Sequence, residues 1–263
     1  MKIYLINLKR DVNRLDRILQ QFKQFNITNF EIVEAVDGKS LTQEQLDTDY
    51  DDESAKKLVR RLCLSEIGCA LSHIDVYRRI IKENKRCLIM EDDVVISKKF
   101  LSFVNIEIED PCDVLFFGVT SDNYEHKNLP KTYKYKNIRY ARNSENGLWT
   151  RCYLEESYTT HGNIDFYDID KKSTRIDFLY QTFAYSPSVE ACDKFIKHNY
   201  PVKLMADNVW NYNDFSIKIP KDNIIDVDPT IESNILKDRI LLWNEWSWSD
   251  SYLRRINSEY FNK

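Results

Sequence analysis

An α/β domain is expected from three features near the start of the chain. Ile3 to Ile6 is an unbroken apolar run, the pattern of a strand covered on both faces. In DVNRLDRILQQF, Val12, Leu15, Ile18, Leu19 and Phe22 recur at helical spacing behind Asp11, a residue type suited to an N-cap. FEIVEAV follows as a second strand and closes at Asp37-Gly38. Strand, helix and strand at this spacing make a βαβ unit, which is ordinarily parallel and right-handed.

Further along, LTQEQL carries a capping-box pattern, Thr42 with Gln45 three residues on. Residues 47–57, acidic then basic, read as a loop. A long helix begins at Leu64, with Leu64, Ile67, Leu71, Ile74 and Ile81 on one stripe and Glu66, Cys69, Ala70 and His73 on another; Asn84 is suited to end it. Cys87 to Met90 is the next strand, and CDVLFFGV (112–119) another. Residues 121–180 are polar and aromatic with weak periodicity, and read as an insertion over one sheet edge. QTFAY reads as a strand, and Ser186-Pro187 as the opening of a helix with Val189, Cys192, Phe195 and Ile196 inward. A shorter helix is expected from about Asp207, then strands at FSIKIP and NIIDV.

The whole chain of 263 residues, 43% hydrophobic and 30% charged, has the composition of a soluble globular protein. Only 5 Gly and 6 Pro argue against linkers and low-complexity arms. A net charge of −4 gives no field to attract nucleic acid. The six cysteines form no CxxC pair, and MKIYLINLKR lacks an apolar signal segment, so free thiols in a reducing cytoplasm are the expectation. No run reaches the roughly 18 apolar residues of a membrane helix.

Chemistry concentrates in CLIMEDDVVI, Cys87 to Ile96, where Glu91, Asp92 and Asp93 interrupt buried-looking strand. Ionised carboxylates are costly to bury without partners. At the carboxyl end of a strand in an open α/β sheet they can hold a hard divalent cation with a phosphate; alternatively they form a solvated turn. Asn7, Arg10 and Arg14 follow the first strand, where a helix amino terminus and two guanidinium groups suit a phosphate or a nucleotide edge, or only a basic first turn. Asp37 could accept hydrogen bonds from a base or ribose, or Asp37-Gly38 could be a turn alone. His73 lies near the end of the small-residue stripe, and a lone helical histidine is more often a hydrogen-bonded packing residue than a ligand or acid. Asp207 at a helix start is either a cap or a general base.

IYLINLKRDVNRLDRI, FEIVEAVDGKSL, LSEIGCALSHIDVYRRII and CLIMEDDVVIS, in that order, resemble glycosyltransferase family 25. The resemblance is dense over residues 1–100 and resumes at DVLFFG, TFAYSPSVEACDKFI and PVKLMADNVW. It implies a GT-A type fold with a mixed central sheet: one domain over 1–230, a Rossmann-like nucleotide half to about 120, an acceptor half from about 121, and a tail at 231–263. It also implies inverting transfer from a nucleotide sugar, usually UDP-galactose, to a lipooligosaccharide or other glycan or glycolipid acceptor, with Mn²⁺ (or Mg²⁺) as cofactor. The family's acidic motif falls on Glu91-Asp92-Asp93. Asp93 is then the direct metal ligand, Glu91 or Asp92 its support or a ribose contact, with Asn7, Arg10, Arg14, Asp37, Gly38 and His73 around the nucleotide. Asp207 matches the acid of a P-x-D type motif, with the proline further upstream, and would be the base. Two other classes stay open: a non-catalytic carbohydrate-binding protein, and a nucleotidyltransferase.

The tail carries Trp243, Trp246 and Trp248 with Arg239, Arg254 and Arg255. Packing on the core or self-association is the favoured reading, because Glu245, Asp250 and Glu259 dilute the positive charge; peripheral contact with the inner membrane is the alternative.

Overall fold

The computed structural model describes residues 1–58, 60–104, 106–118, 133–135, 138–142, 149–169, 182–207, 215–220, 223–231, 233, 235 and 238. Strand β1 (Ile3–Asn7) is buried along its whole length. Helix α1 (Val12–Gln24) turns Ile18 and Phe22 inward, and β2 (Phe30–Glu34) returns parallel to β1. The expected βαβ unit is therefore present. Asp11 occupies the N-cap position, but its side chain makes no capping hydrogen bond.

A 3-10 turn at Gly38–Ser40 leads to α2 (Gln43–Asp49), closed at its start by the Thr42–Gln45 capping box. The stretch 47–57, expected as loop, is largely helical: α2 runs on to Asp49, and α3 (Asp52–Leu58) follows. Its charge order explains this. Asp52 and Glu53 lie in the first turn of α3 and Lys56 and Lys57 in the last, as the helix dipole favours, while Ala55 is buried.

Helix α4 (Leu64–Glu83) is the longest, and Asn84 ends it in the left-handed conformation at φ 50°. Ile67, Leu71 and Ile74 are buried as expected, but Leu64 is exposed because it stands in the first turn, beyond the covered length. Strand β3 (Leu88–Glu91) pairs parallel with β1 on the side away from β2. After the acidic turn come β4 (Val94–Ile96) and β5 (Val114–Phe116).

The region expected to lie over a sheet edge instead lengthens the sheet. It forms β6 (Tyr133–Tyr135), β7 (Ile138–Arg142), β8 (Trp149–His161) and β9 (Ile164–Ile169), paired antiparallel in sequence order. Its β-branched and aromatic content suits strand without a clean alternation. Ser186-Pro187 does not open a helix: both belong to β10 (Ala184–Pro187). Ser188, two residues on, takes the cap of α5 (Val189–Asn199), and its hydroxyl accepts from the Ala191 N–H at 3.0 Å. Arg86 holds the Ser186 carbonyl in the strand at 2.7 Å. Strands β11 (Ile217–Pro220) and β12 (Ile225–Val227) complete the described elements.

Among the described residues the main sheet runs β2-β1-β3-β10-β5-β11-β9-β8-β7-β6. Strands β2, β1 and β3 are parallel, and β10 runs antiparallel to both β3 and β5. The sheet is thus mixed, the α/β architecture expected. Alternate residues of β1 feed two cores: Tyr4 and Ile6 join the side of α4 and α5, while Ile3 and Leu5 join the side of α1, Phe100 and Phe103. Strand β12 pairs with β4, so the chain comes back beside the acidic turn. No helix among the described residues is long and apolar enough to cross a membrane. The aromatic tail after 238, and all of the helix expected from Asp207 beyond a 3-10 turn at 206–207, lie outside the described residues.

Candidate active site

The carboxyl ends of three parallel strands meet in one place. Asn7 ends β1, the segment from Ala35 to Gly38 follows β2, and Glu91 ends β3. Ligands of open α/β sheets bind at such ends. A cleft opens there in two lobes. The first is lined by Arg10, Arg14, Asp37, Gly38, His73 and the acidic triplet, among others. The second is lined by Glu66, Thr182, Met205 and Asp207. Cys69, Glu91 and Asp93 line both.

Helix α4 sets the floor of the first lobe. A Cβ on Gly38 would stand 1.7 Å from the Leu64 carbonyl oxygen, and one on Gly68 would stand 2.6 Å from the Val36 carbonyl oxygen. Both glycines therefore serve close packing of the loop after β2 onto α4. Ser72 fastens the same contact, accepting from the Val36 N–H at 2.8 Å and donating to the Gly68 carbonyl at 2.7 Å. At the start of α4, Glu66 accepts from the Cys63 N–H at 2.9 Å and is gripped at both oxygens by the buried Arg60, at 2.7 and 2.8 Å. Arg60 also donates to the Met205 sulfur at 3.4 Å, which ties α4 to the segment carrying Asp207.

The three acids of the turn have different surroundings. Asp92 is buried and accepts from Asn7 Nδ2 at 2.6 Å and Arg14 Nη1 at 3.0 Å. Burial nonetheless outweighs Arg14 and Asn7 and pushes its carboxyl up. Glu91 accepts from Thr182 Oγ1 at 2.8 Å, and His73 Nε2 lies 3.3 Å from its Oε1, close enough for an ion pair but not aligned as a hydrogen bond. Burial pushes the Glu91 carboxyl up, but His73, Thr182 and Arg14 prevail and hold it below the ordinary range. Asp93 has the least support. Its Oδ1 is buried without a hydrogen-bond partner, and Arg14 reaches its Oδ2 only at 3.9 Å. Burial, then the charges of Glu91 and Asp92, push its carboxyl up to about 7. A buried carboxylate oxygen with no donor, beside two other acids, is a group that a cation would relieve. Asp93, with Glu91 beside it, therefore fits a hard divalent ion.

Negative charge extends into the second lobe. The Cys69 thiol is pushed well above its usual range, first by burial and then by Glu91, Asp207, Glu66 and Asp93. Asp207 thus faces the same junction as Asp93. The guanidinium groups are already engaged: Arg10 pairs with Asp37 and Arg14 with Asp92. The chain after β12 covers both lobes with Ser233 and Ile235. Asp228 and Asp238 are among the described residues that fix it. The Asp228 N–H donates to the Asp93 carbonyl at 2.7 Å, and Asp238 pairs with Lys39 at 2.7 Å and accepts from the Ser65 hydroxyl.

Every site residue named from sequence lines this cleft except Asn7, which stands directly behind it as the Asp92 donor. Sequence reasoning missed Thr182, Ser72, Ser233 and Ile235. The stripe of Glu66, Cys69 and His73 on α4 was the available signal for Cys69; nothing in the local sequence marks Thr182 or the covering segment.

The family model of glycosyltransferase family 25 (LPS biosynthesis protein) matches residues 1–210. Over 107 residues the chain is 38% identical to procollagen galactosyltransferase 2 of Mus musculus, covering 38% of this chain and 16% of that protein. It is 35% identical over 101 residues to a glycosyltransferase 25 family member of Drosophila melanogaster, covering 35% and 16%. It is 31% identical over 135 residues to a procollagen lysyl hydroxylase and glycosyltransferase of Acanthamoeba polyphaga mimivirus, covering 44% and 15%. The chain thus spans about a sixth of the length of these curated relatives. With the family model extending from β1 through Asp207, across both lobes of the cleft, the chain belongs to glycosyltransferase family 25.

Proposed function

We propose that this protein is an inverting hexosyltransferase that moves galactose from UDP-galactose to a lipooligosaccharide or other surface-glycan acceptor on the cytoplasmic side of a membrane. The observation that carries the reading is Asp93: a half-buried carboxylate with one buried, unpartnered oxygen, at the junction of two lobes, one lined by Arg10, Arg14 and Asp37 and the other holding a second acid, Asp207. The family description supports the glycan, and the relatives named procollagen galactosyltransferase support the hexose.

Mn²⁺ or Mg²⁺, when bound, would neutralise charge developing on the departing diphosphate. Asp93, with Glu91, would hold it. Asn7 and Arg14 hold Asp92, the acid between Glu91 and Asp93 in sequence. Arg10 and Asp37 line the first lobe, where a nucleotide would lie. Asp207 in the second lobe would take the proton of the acceptor hydroxyl as that oxygen attacks the sugar carbon opposite the leaving phosphate. A single in-line displacement needs one base, whereas a glycosidase needs two carboxylates flanking the bond.

The names of the relatives favour a second acceptor, a procollagen-type polypeptide. Turnover of UDP-galactose with a truncated lipooligosaccharide, or with a hydroxylysine-bearing collagen peptide, separates the two. Formation of a galactosylated product with only one of them identifies the acceptor class. Release of pyrophosphate instead of UDP would mark a nucleotidyltransferase, and glycan uptake needing neither nucleotide nor metal would mark a pure binder.

A further inference from the structure

We infer that the cleft holds a second cation station, made by Cys69, His73 and Glu91 and suited to a thiophilic divalent metal such as Zn²⁺. One ligand atom from each of these side chains lies within 4.8 Å of the other two. Sulfur, imidazole nitrogen and carboxylate oxygen are a donor set for a borderline-soft ion, unlike the all-oxygen environment preferred by Mg²⁺.

The geometry is close to that of an occupied site. Bonds of roughly 2.0–2.3 Å put ligand atoms roughly 3.3–3.8 Å apart around a tetrahedral ion. The His73–Glu91 edge is already 3.3 Å. Bringing in Cys69 requires at most roughly 1.0–1.5 Å of movement from the 4.8 Å limit. Both residues stand on α4 at i and i+4, so their side chains share one face of a rigid helix.

The outer partners suit the same role. His73 is buried, and its Nδ1 lies 2.7 Å from the Tyr185 hydroxyl, which lies 2.7 Å from the Tyr77 hydroxyl. In the neutral tautomer protonated at Nδ1, His73 donates to the Tyr185 hydroxyl and turns its Nε2 lone pair toward the cluster. Nε2 is buried and makes no hydrogen bond. An imidazole fixed through its other nitrogen is the usual support of a metal-binding histidine. Thr182 donates at 2.8 Å to Glu91 Oε1, the oxygen that lies 3.3 Å from His73 Nε2, and so fixes its position. Entry is open, because Cys69 and Glu91 line both lobes; the remaining tetrahedral position can be filled by water.

Glu91 belongs to this set and also neighbours Asp93. An ion on Cys69 and His73 therefore takes Glu91 away from a hard cation at Asp93. The station itself needs no nucleotide sugar, so its test is separate from transferase activity.

Zinc binding to the metal-free full chain is measured by competition with a chromophoric chelator, for wild type, Cys69→Ser and Asp93→Asn. One equivalent is expected to bind to wild type. Cys69→Ser should weaken it at least about 100-fold, and Asp93→Asn should leave it within about 3-fold. Loss of Zn²⁺ only in Asp93→Asn, or unchanged affinity in Cys69→Ser, overturns the assignment. X-ray absorption at the zinc edge of the wild-type protein needs no variant to fold. One sulfur at about 2.3 Å beside nitrogen and oxygen is the expected shell; a shell without sulfur contradicts the site.

Discussion

Asp93 contributes an instability that can be measured. Its folded carboxyl is raised to about 7, whereas an unfolded aspartate titrates near ~3.9. Between those values the folded state binds more protons, so stability falls as pH rises through this window. Asp93→Asn should therefore stabilise the metal-free protein at pH 8, on the order of 1–3 kcal/mol, and leave it nearly unchanged below pH 4. Urea unfolding at the two pH values checks this; equal stability of the two proteins at pH 8 would refute it. For the same reason Mn²⁺ should raise the melting temperature of wild type more at pH 8 than at pH 5.5, and scarcely raise that of Asp93→Asn. Asp207→Asn should lower kcat by roughly 10²–10⁴ with little change in KM for the donor. Unchanged kcat would move the base elsewhere. At this scale the acidic triplet was legible because three adjacent carboxylates inside apolar sequence conflict with burial. Their separate roles were not, because Asn7, Arg14, Thr182 and His73 reach them only through the fold.

Among the elements, α4 carries the most. It braces the loop after β2 through Gly38, Gly68 and Ser72, and its Glu66 is linked through Arg60 to Met205. Gly38→Ala should destabilise by at least about 1–3 kcal/mol, because its Cβ would meet backbone that cannot swing aside. Differential scanning calorimetry would show this as a lowered transition, and an unshifted transition would count against the brace. A second tie anchors the β8–β9 hairpin. The buried Asp110 accepts from Thr159 at 2.6 Å, His161 at 2.9 Å and Lys218 at 3.2 Å. Burial pushes its carboxyl up, but these partners and the Cys112 N–H outweigh burial and hold it well below the usual range. Its stabilisation is then present above the unfolded pKa and is lost as pH falls through the folded one. Asp110→Asn should cost about 2–4 kcal/mol at pH 7 and flatten acid unfolding below pH 4; an unaltered acid limb would disprove the tie. The amino-terminal βαβ unit and α4 were readable from period and caps. The extent of α3, the β-rich insertion and the start of α5 were not. There the charge order, the strand-forming composition without alternation, and two neighbouring serines each allowed more than one reading until tertiary contacts chose.

For the molecule as a whole, the mixed sheet places Asp93, the lobe lined by Arg10, Arg14 and Asp37, and a second acid, Asp207, at one junction. The segment after β12 closes over them, held by Asp228 and Asp238. That cover was invisible in sequence, since it depends on β12 pairing with a strand some 130 positions earlier. The central claim is cation-dependent transfer at Asp93. Its most direct measurement is UDP release from UDP-galactose with acceptor, with and without Mn²⁺, by wild type and Asp93→Asn. The expected result is turnover by wild type that requires Mn²⁺ and falls at least about 100-fold in a folded Asp93→Asn protein. Full metal-dependent turnover by Asp93→Asn, or no turnover of any UDP-hexose by folded wild type, would contradict it.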